Sequence, residues 1–252
     1  MKRSAIRALP ALVFWLCLMF DTNVYATAST HIWAPSTDVQ AYNVWHITSD
    51  MYAAVKDDAA GNRVPSVTNI GLTVGVLPFK RVNMEIGFDH KSGLGTLDSY
   101  PMYGNIKIGI PENAFGNGWP AMAAGVFDVG TKGNRTDFDV VYGKIAKTLS
   151  VGGVTLGRFS AGYFMGNEKL LFDMKGEKDN SGPLAAWERT VTEVSDKLWI
   201  CVEYMGTESA YGTLNAGVSW KFANNVSMIG GYDIFNNADL VNTVTVQVDI
   251  DM

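Results

Sequence analysis

The side chains that could do chemistry fall into two sets. One is the triplet His90-Lys91-Ser92. An imidazole can serve as base for a hydroxyl two residues away when both face one way and a third polar group orients the ring. Asn105, the nearest orienting candidate, has the parity of the opposite face. The second set is a series of polar residues recurring at every second position: Asn83, Glu85, Asp89 and Lys91, then Asn105 and Lys107, Arg158 and Ser160, Glu203, Asn215 and Lys221, Asp233, and finally Gln247, Asp249 and Asp251. A polar wall of mixed charge with an acidic excess can choose small solutes by charge and favour cations. Its alternative role is a salt-bridged filling that holds a structure together and passes little. His31 and His46 stand far apart, and no cluster has metal-ligand spacing, so neither a metal nor a cofactor is expected. Cys201 shares the polar parity and reads as a buried, inert thiol.

The elements that must position these residues are strands. From Thr243 to Met252 every second residue is apolar, and the others are polar. Leu214, Ala216, Val218, Trp220 and Phe222 alternate with Thr213, Asn215, Gly217, Ser219 and Lys221. The same period of two runs through Ile70–Val76, Val82–Asp89 and Asn105–Ile110. Alternation of this length means strands with one face in a nonpolar medium. The polar faces mix Gly, Thr, Ser and Asn with a few charges, unlike the Lys/Glu-rich face of a water-exposed sheet. Aromatic residues gather near strand ends on the apolar parity, Trp220 and Phe222 at one end, Tyr204 and Tyr232 at the other, as in the girdles of a bilayer interface. The apolar face therefore points outward to lipid and the polar face lines a lumen.

Composition agrees. The chain of 252 residues is 47% hydrophobic and 18% charged, against about a quarter charged in average soluble domains. No stretch beyond residue 28 has the ~20 consecutive apolar residues of a spanning helix. The lack of a basic excess excludes a nucleic-acid partner, and the apolar content excludes a disordered chain. Residues 1–28 have the pattern of a secretory signal peptide: Lys2, Arg3 and Arg7, the apolar run Ala8–Phe20, then Ala26-Thr27-Ala28. Cys17 follows Phe14-Trp15-Leu16 rather than the small residues that precede a lipidated cysteine. Removing this leader takes away three basic residues and Asp21, so the charge falls from −5 to −7. It leaves Cys201 alone, and no internal disulfide can form. Residues 29–43, with Trp33 and Pro35, either hang in the periplasm or plug the barrel from below; residues 44–252 form the barrel.

Twelve candidate strands follow, over 44–55, 67–77, 82–91, 101–110, 121–130, 138–149, 154–165, 183–193, 197–205, 212–222, 226–235 and 243–252. Short and long connections alternate, which puts both termini on the short-turn, periplasmic side. Pro111–Trp119 is long for such a turn, and the sequence offers no reason. Leu184, Trp187, Val191, Val194 and Leu198 also fit helical spacing behind Pro183, but even parity and the β-branched Thr190, Val191 and Thr192 favour a strand. The connection Asn167–Ser181, dense in charge, is a surface loop, a recognition site or an inward constriction.

In these features the mature chain resembles the Gram-negative outer-membrane β-barrels, porins among them. Its last residue, Met252, departs from their usual terminal Phe or Trp. Lys107–Pro111, Pro120–Asp128 and Tyr142–Lys147 resemble strands of barrels associated with exopolysaccharide export. The resemblance implies an all-β, up-and-down antiparallel transmembrane barrel of about twelve strands. Its surroundings would be outer-membrane lipid, the outer-membrane assembly machinery and small polar solutes. The leading expectation is a narrow porin-like channel lined by Glu85, Asp89, Asn105, Lys107, Arg158, Glu203, Lys221, Asp233, Asp249 and Asp251. A non-conducting scaffold for an envelope or export assembly is the alternative. His90 and Ser92 also resemble the lipid-facing pair of outer-membrane acyl hydrolases, although Gly93 stands where those enzymes carry Asn.

Overall fold

The computed structural model describes residues 29–252; the leader expected over 1–28 lies outside them. Twelve strands occur in the described chain: β1 (Trp45–Ala54), β2 (Val67–Gly75), β3 (Asn83–Ser92), β4 (Met102–Ile110), β5 (Ala121–Gly130), β6 (Val140–Val151), β7 (Val154–Met165), β8 (Ser181–Thr190), β9 (Leu198–Met205), β10 (Thr213–Ala223), β11 (Val226–Phe235) and β12 (Thr243–Asp251). Each pairs with its sequence neighbours, and β1 pairs antiparallel with β12, which closes an up-and-down barrel. Closure satisfies every strand edge, so no open ladder faces lipid. The seam is sealed where the strands end: Trp45 and Met252 exchange backbone hydrogen bonds of 2.8 and 2.9 Å.

The alternation sorts side chains as the period of two requires. Val141 and Ile145 of β6 are half exposed, while Val140, Tyr142 and Lys144 on the alternate positions are buried. The outward residues form the apolar band. Tyr204, Trp220, Phe222 and Tyr232 all belong to it, Trp220 and Phe222 toward the rim that carries the β1–β12 ends and Tyr204 and Tyr232 toward the opposite one. We call these the near rim and the far rim. Segment 181–190 is a strand, in register with β7 and β9; the chain turns only from Val191 to Lys197. Pro183 sits comfortably there, its carbonyl accepting from Gly206 N.

The long near-rim connection over 111–120 has a structural reason. It folds back on the wall: Glu112 accepts from Lys147 Nζ (2.8 Å) and from Thr148 N and Oγ1, and Phe115 stacks edge-on against Trp119 with Arg81 over its ring. Partial burial pushes the Glu112 carboxyl up, but those donors outweigh it, and its pKa lies below the ordinary glutamate value. At the far rim the charged loop 166–180 turns partly inward. Leu171 is fully buried against Val140 and Phe164, and Ala238 N approaches Met174 Sδ at 3.3 Å, so the loop reaches toward the β11–β12 connection.

Candidate functional site

Residues 29–40 lie inside the barrel, and Ala41, Tyr42 and Asn43 are exposed where the chain leaves for β1. The inner residues form a tight loop, closed by a bridge between Thr30 and Pro35 and by His31 N donating to Ala34 O and Ser36 N to Ser29 O. Ile32 and Ala34 are almost wholly shielded from solvent. The loop has no regular ladder of its own, so the wall must satisfy its backbone. Glu203 on β9 accepts from Trp33 N (2.6 Å), Ala34 N (3.1 Å) and Asn215 Nδ2 (2.9 Å). Lys107 on β4 donates to Ser29 O and Asp38 O, both at 2.6 Å, and pairs with Glu85 at 3.0 Å, while Glu85 accepts from Gln40 N. Lys144 on β6 donates to Pro35 O, and Gln247 on β12 to Ile32 O. Arg158 on β7 binds Asp38 at 2.8 Å and also reaches Thr37. His31 Nε2 lies 3.2 Å from Glu188 on β8.

Packing completes the fit. Trp33 meets Tyr52 and Phe235 edge-on, at 5.2 and 5.8 Å between centroids. A Cβ on Gly217 would stand 2.7 Å from Ile32 Cδ1, so the wall is shaved at this point to admit the loop. Where the segment leaves for β1, Tyr42 bridges in parallel to Gly75, and a Cβ there would lie 1.9 Å from Ala41 O. Only glycine permits this approach.

Space remains on two sides of the loop. A cavity of about 430 Å³ occupies the β1–β6 side and reaches the far-rim residues Leu97, Ala210 and Leu240. A second, of about 370 Å³, lies on the β8–β11 side and reaches Asp196 and Lys197 in the near-rim turn. Thr30 of the internal loop and Asp249 of β12 line both.

The residues singled out by parity lie on the inner face. Glu85, Lys107, Glu203, Asp233, Asp249 and Asp251 are buried there, and Asp89 and Asn105 are linked by a 2.8 Å hydrogen bond. His46 sits between two of them, with Asp251 at 2.6 Å and Asp249 at 3.3 Å. Asp233 accepts from Thr243, and Lys221 lines the near-rim cavity. Cys201 is buried beside Ile32 and Ile229. His90 and Ser92 lie on the outer parity of β3; Ser92 Oγ is 2.7 Å from Thr68 Oγ1, and no hydrogen bond joins it to His90. Among the described residues no group of three or more His, Cys, Asp or Glu could hold a metal ion.

Several inner residues escape sequence reasoning. Asp128 is one. A register shift between Gly104 and Ile106 marks a bulge in the β4–β5 pairing, and Asp128 adopts φ 55°. Phe127 and Asp128 thus both turn inward, where Asp128 binds Lys91 and Tyr211. The others are Asp50, Lys144 and Glu188. Only Asp50 had a sequence signal, its parity with His46 and Thr48.

A closed barrel with an apolar outside and a polar, partly filled inside is a transmembrane β-barrel of the outer-membrane type. Solved structures of that type are similar in fold. An outer-membrane channel from Pseudomonas putida F1 is 11% identical, covering 85% of this chain and 97% of that one, with a TM-score of 0.46. The NanC porin is 7% identical, covering 82% and 98%, with a TM-score of 0.47. Outer membrane protein Omp33 of Acinetobacter baumannii is 11% identical, covering 85% and 100%, at 0.40. No protein-family model and no curated protein sequence matches the chain.

Proposed function

We propose that the protein is a narrow channel of the outer membrane for small polar solutes, that it prefers cations, and that segment 29–43 sets its bore. One observation carries this reading. Cavities enter from both rims on opposite sides of the internal loop and approach each other at Thr30 and Asp249. A wall of this diameter without the loop would be wider than the passage the loop leaves, since twelve strands stand between filled eight-stranded barrels and open sixteen-stranded ones. The carboxylates Asp50, Asp89 and Asp249 along the larger cavity favour cations. The near rim, with both barrel ends and most of the shorter turns, is assigned to the periplasm, and the apolar band to outer-membrane lipid.

The test is single-channel conductance of the full mature chain in a planar bilayer under a salt gradient. Small, cation-biased steps are expected. A complete absence of steps in a correctly folded barrel overturns the channel and leaves the second reading, a non-conducting scaffold. The density of hydrogen bonds between loop and wall favours that second reading.

A further inference from the structure

The larger cavity is not uniformly polar. We infer that it is a binding site for small amphipathic organic cations, molecules with an amine at one end and an aromatic or aliphatic body at the other; as a statement about transported solutes this rests on the channel reading, but as a statement about binding it does not. Its far-rim half is walled by Phe127, Phe138, Tyr211, Phe235, Leu97 and Leu240. Phe127 and Phe138 each meet Tyr211 edge-on at 5.8 Å, which leaves a fixed aromatic corner. Purely polar solutes gain nothing from such a surface, whereas a ring or alkyl chain does.

Deeper in, the lining changes to Asp50 and Asp89. Asn69 Nδ2 bridges them, at 3.1 Å from Asp50 and 3.2 Å from Asp89. Thr48 adds a 2.7 Å bond to Asp50, and Asn105 one of 2.8 Å to Asp89. All these donors are neutral. The cations that share the cavity make their close ion pairs elsewhere, Lys107 with Glu85, Lys91 with Asp128 and His46 with Asp249 and Asp251, and Lys91 reaches Asp89 only at longer range. Asp50 and Asp89 have no ion-pair partner within 4.0 Å among the described residues. A second, independent observation lies in the same cavity. Tyr103, opposite Asp89 in the β3–β4 register, is only 1% exposed, lines the cavity, and its hydroxyl has no hydrogen-bond partner. A buried hydroxyl without a partner marks a position where a ligand or water completes the site. An ammonium set against the two carboxylates would complete the polar end while its body fills the aromatic end, and the Tyr103 hydroxyl offers a further unpartnered group in the same cavity. The cavity of about 430 Å³ lies within the ~300–1,000 Å³ of small-molecule sites.

The experiment is isothermal titration of the folded full mature chain in detergent with three probes of one shape: 2-phenylethylamine, 2-phenylethanol and 3-phenylpropionate. The amine is expected to bind at least tenfold more tightly than either other probe. Asp50→Asn with Asp89→Asn should bring the amine down to the affinity of the alcohol and leave the alcohol unchanged; each single variant should show part of that loss if the double variant does not refold. Leu97→Ala, in a far-rim turn, should weaken amine and alcohol alike. Equal binding of amine and propionate, or an amine affinity indifferent to both Asn substitutions, overturns the inference. Amine binding by a barrel that shows no conductance keeps the site and removes the channel. Conductance without amine binding does the reverse.

Discussion

Glu203 is the side chain on which the interior most depends. It is 1% exposed, and its two oxygens accept from two backbone amides of the internal loop and from Asn215. Its loss strands those donors and leaves Lys144 and His31 short of a counter-charge; removing one partner of a buried charged network costs about 3–5 kcal/mol. Glu203→Ala should therefore lower the urea midpoint of the barrel and expose the loop to protease, whereas Asn83→Ala should do neither. Glu112 offers a pH test. Because its pKa is lowered in the folded protein, its stabilisation is full above the unfolded value and disappears as pH falls through the folded one. Wild type should melt above Glu112→Gln at pH 7, and the gap should close in strong acid; a gap independent of pH would remove the role given to this carboxylate. At this scale the sequence was informative where alternation was strict, as for Glu85, Lys107, Glu203 and Asp249. It was mute at Asp128, because a bulge abolishes the parity that locates a side chain. It was ambiguous at Glu188, in a stretch that fits two periods.

Among the elements, the internal loop is the one that, in the proposed channel, sets how much of the lumen is open. Deleting residues 29–41, which removes the loop but keeps Tyr42 and Asn43 at the rim, should raise conductance severalfold and make the current noisier, read in the same planar bilayer. Unchanged conductance would show that the loop does not set the bore. Gly75→Ala is the milder version: the added methyl meets the Ala41 carbonyl at 1.9 Å, so the exit of the segment must shift. Strand positions were legible from the period of two to within a few residues at each end. The loop's course was not, since a segment without periodicity announces no partner, and Trp33 and Pro35 hinted only at fixed packing. The long near-rim turn was equally opaque. Its reason, Glu112 reaching Lys147 and Thr148, joins residues far apart in sequence.

The whole molecule divides its surface by medium. The apolar excess in the composition sits on the outside, and the scarce charges sit in the lumen and the rims. That division makes charge selection testable: the reversal potential in a tenfold potassium chloride gradient should have the sign of cation preference, and should move toward zero in a variant with Asp50→Asn and Asp89→Asn. Architecture was readable at this scale because hydrogen-bond closure and lipid exposure act on every strand alike. Whether the interior is full was not, because filling depends on which few side chains find one another across the lumen.

The seam between β1 and β12 has a temporal meaning. The internal loop precedes β1 directly and is held by strands from all around the wall, while the Trp45–Met252 hydrogen bonds are made only when the last strand meets the first. We expect a loop so widely tethered to be seated as the cylinder shuts, like a cork set before the staves are hooped. On that expectation the content and the container of this barrel are finished together.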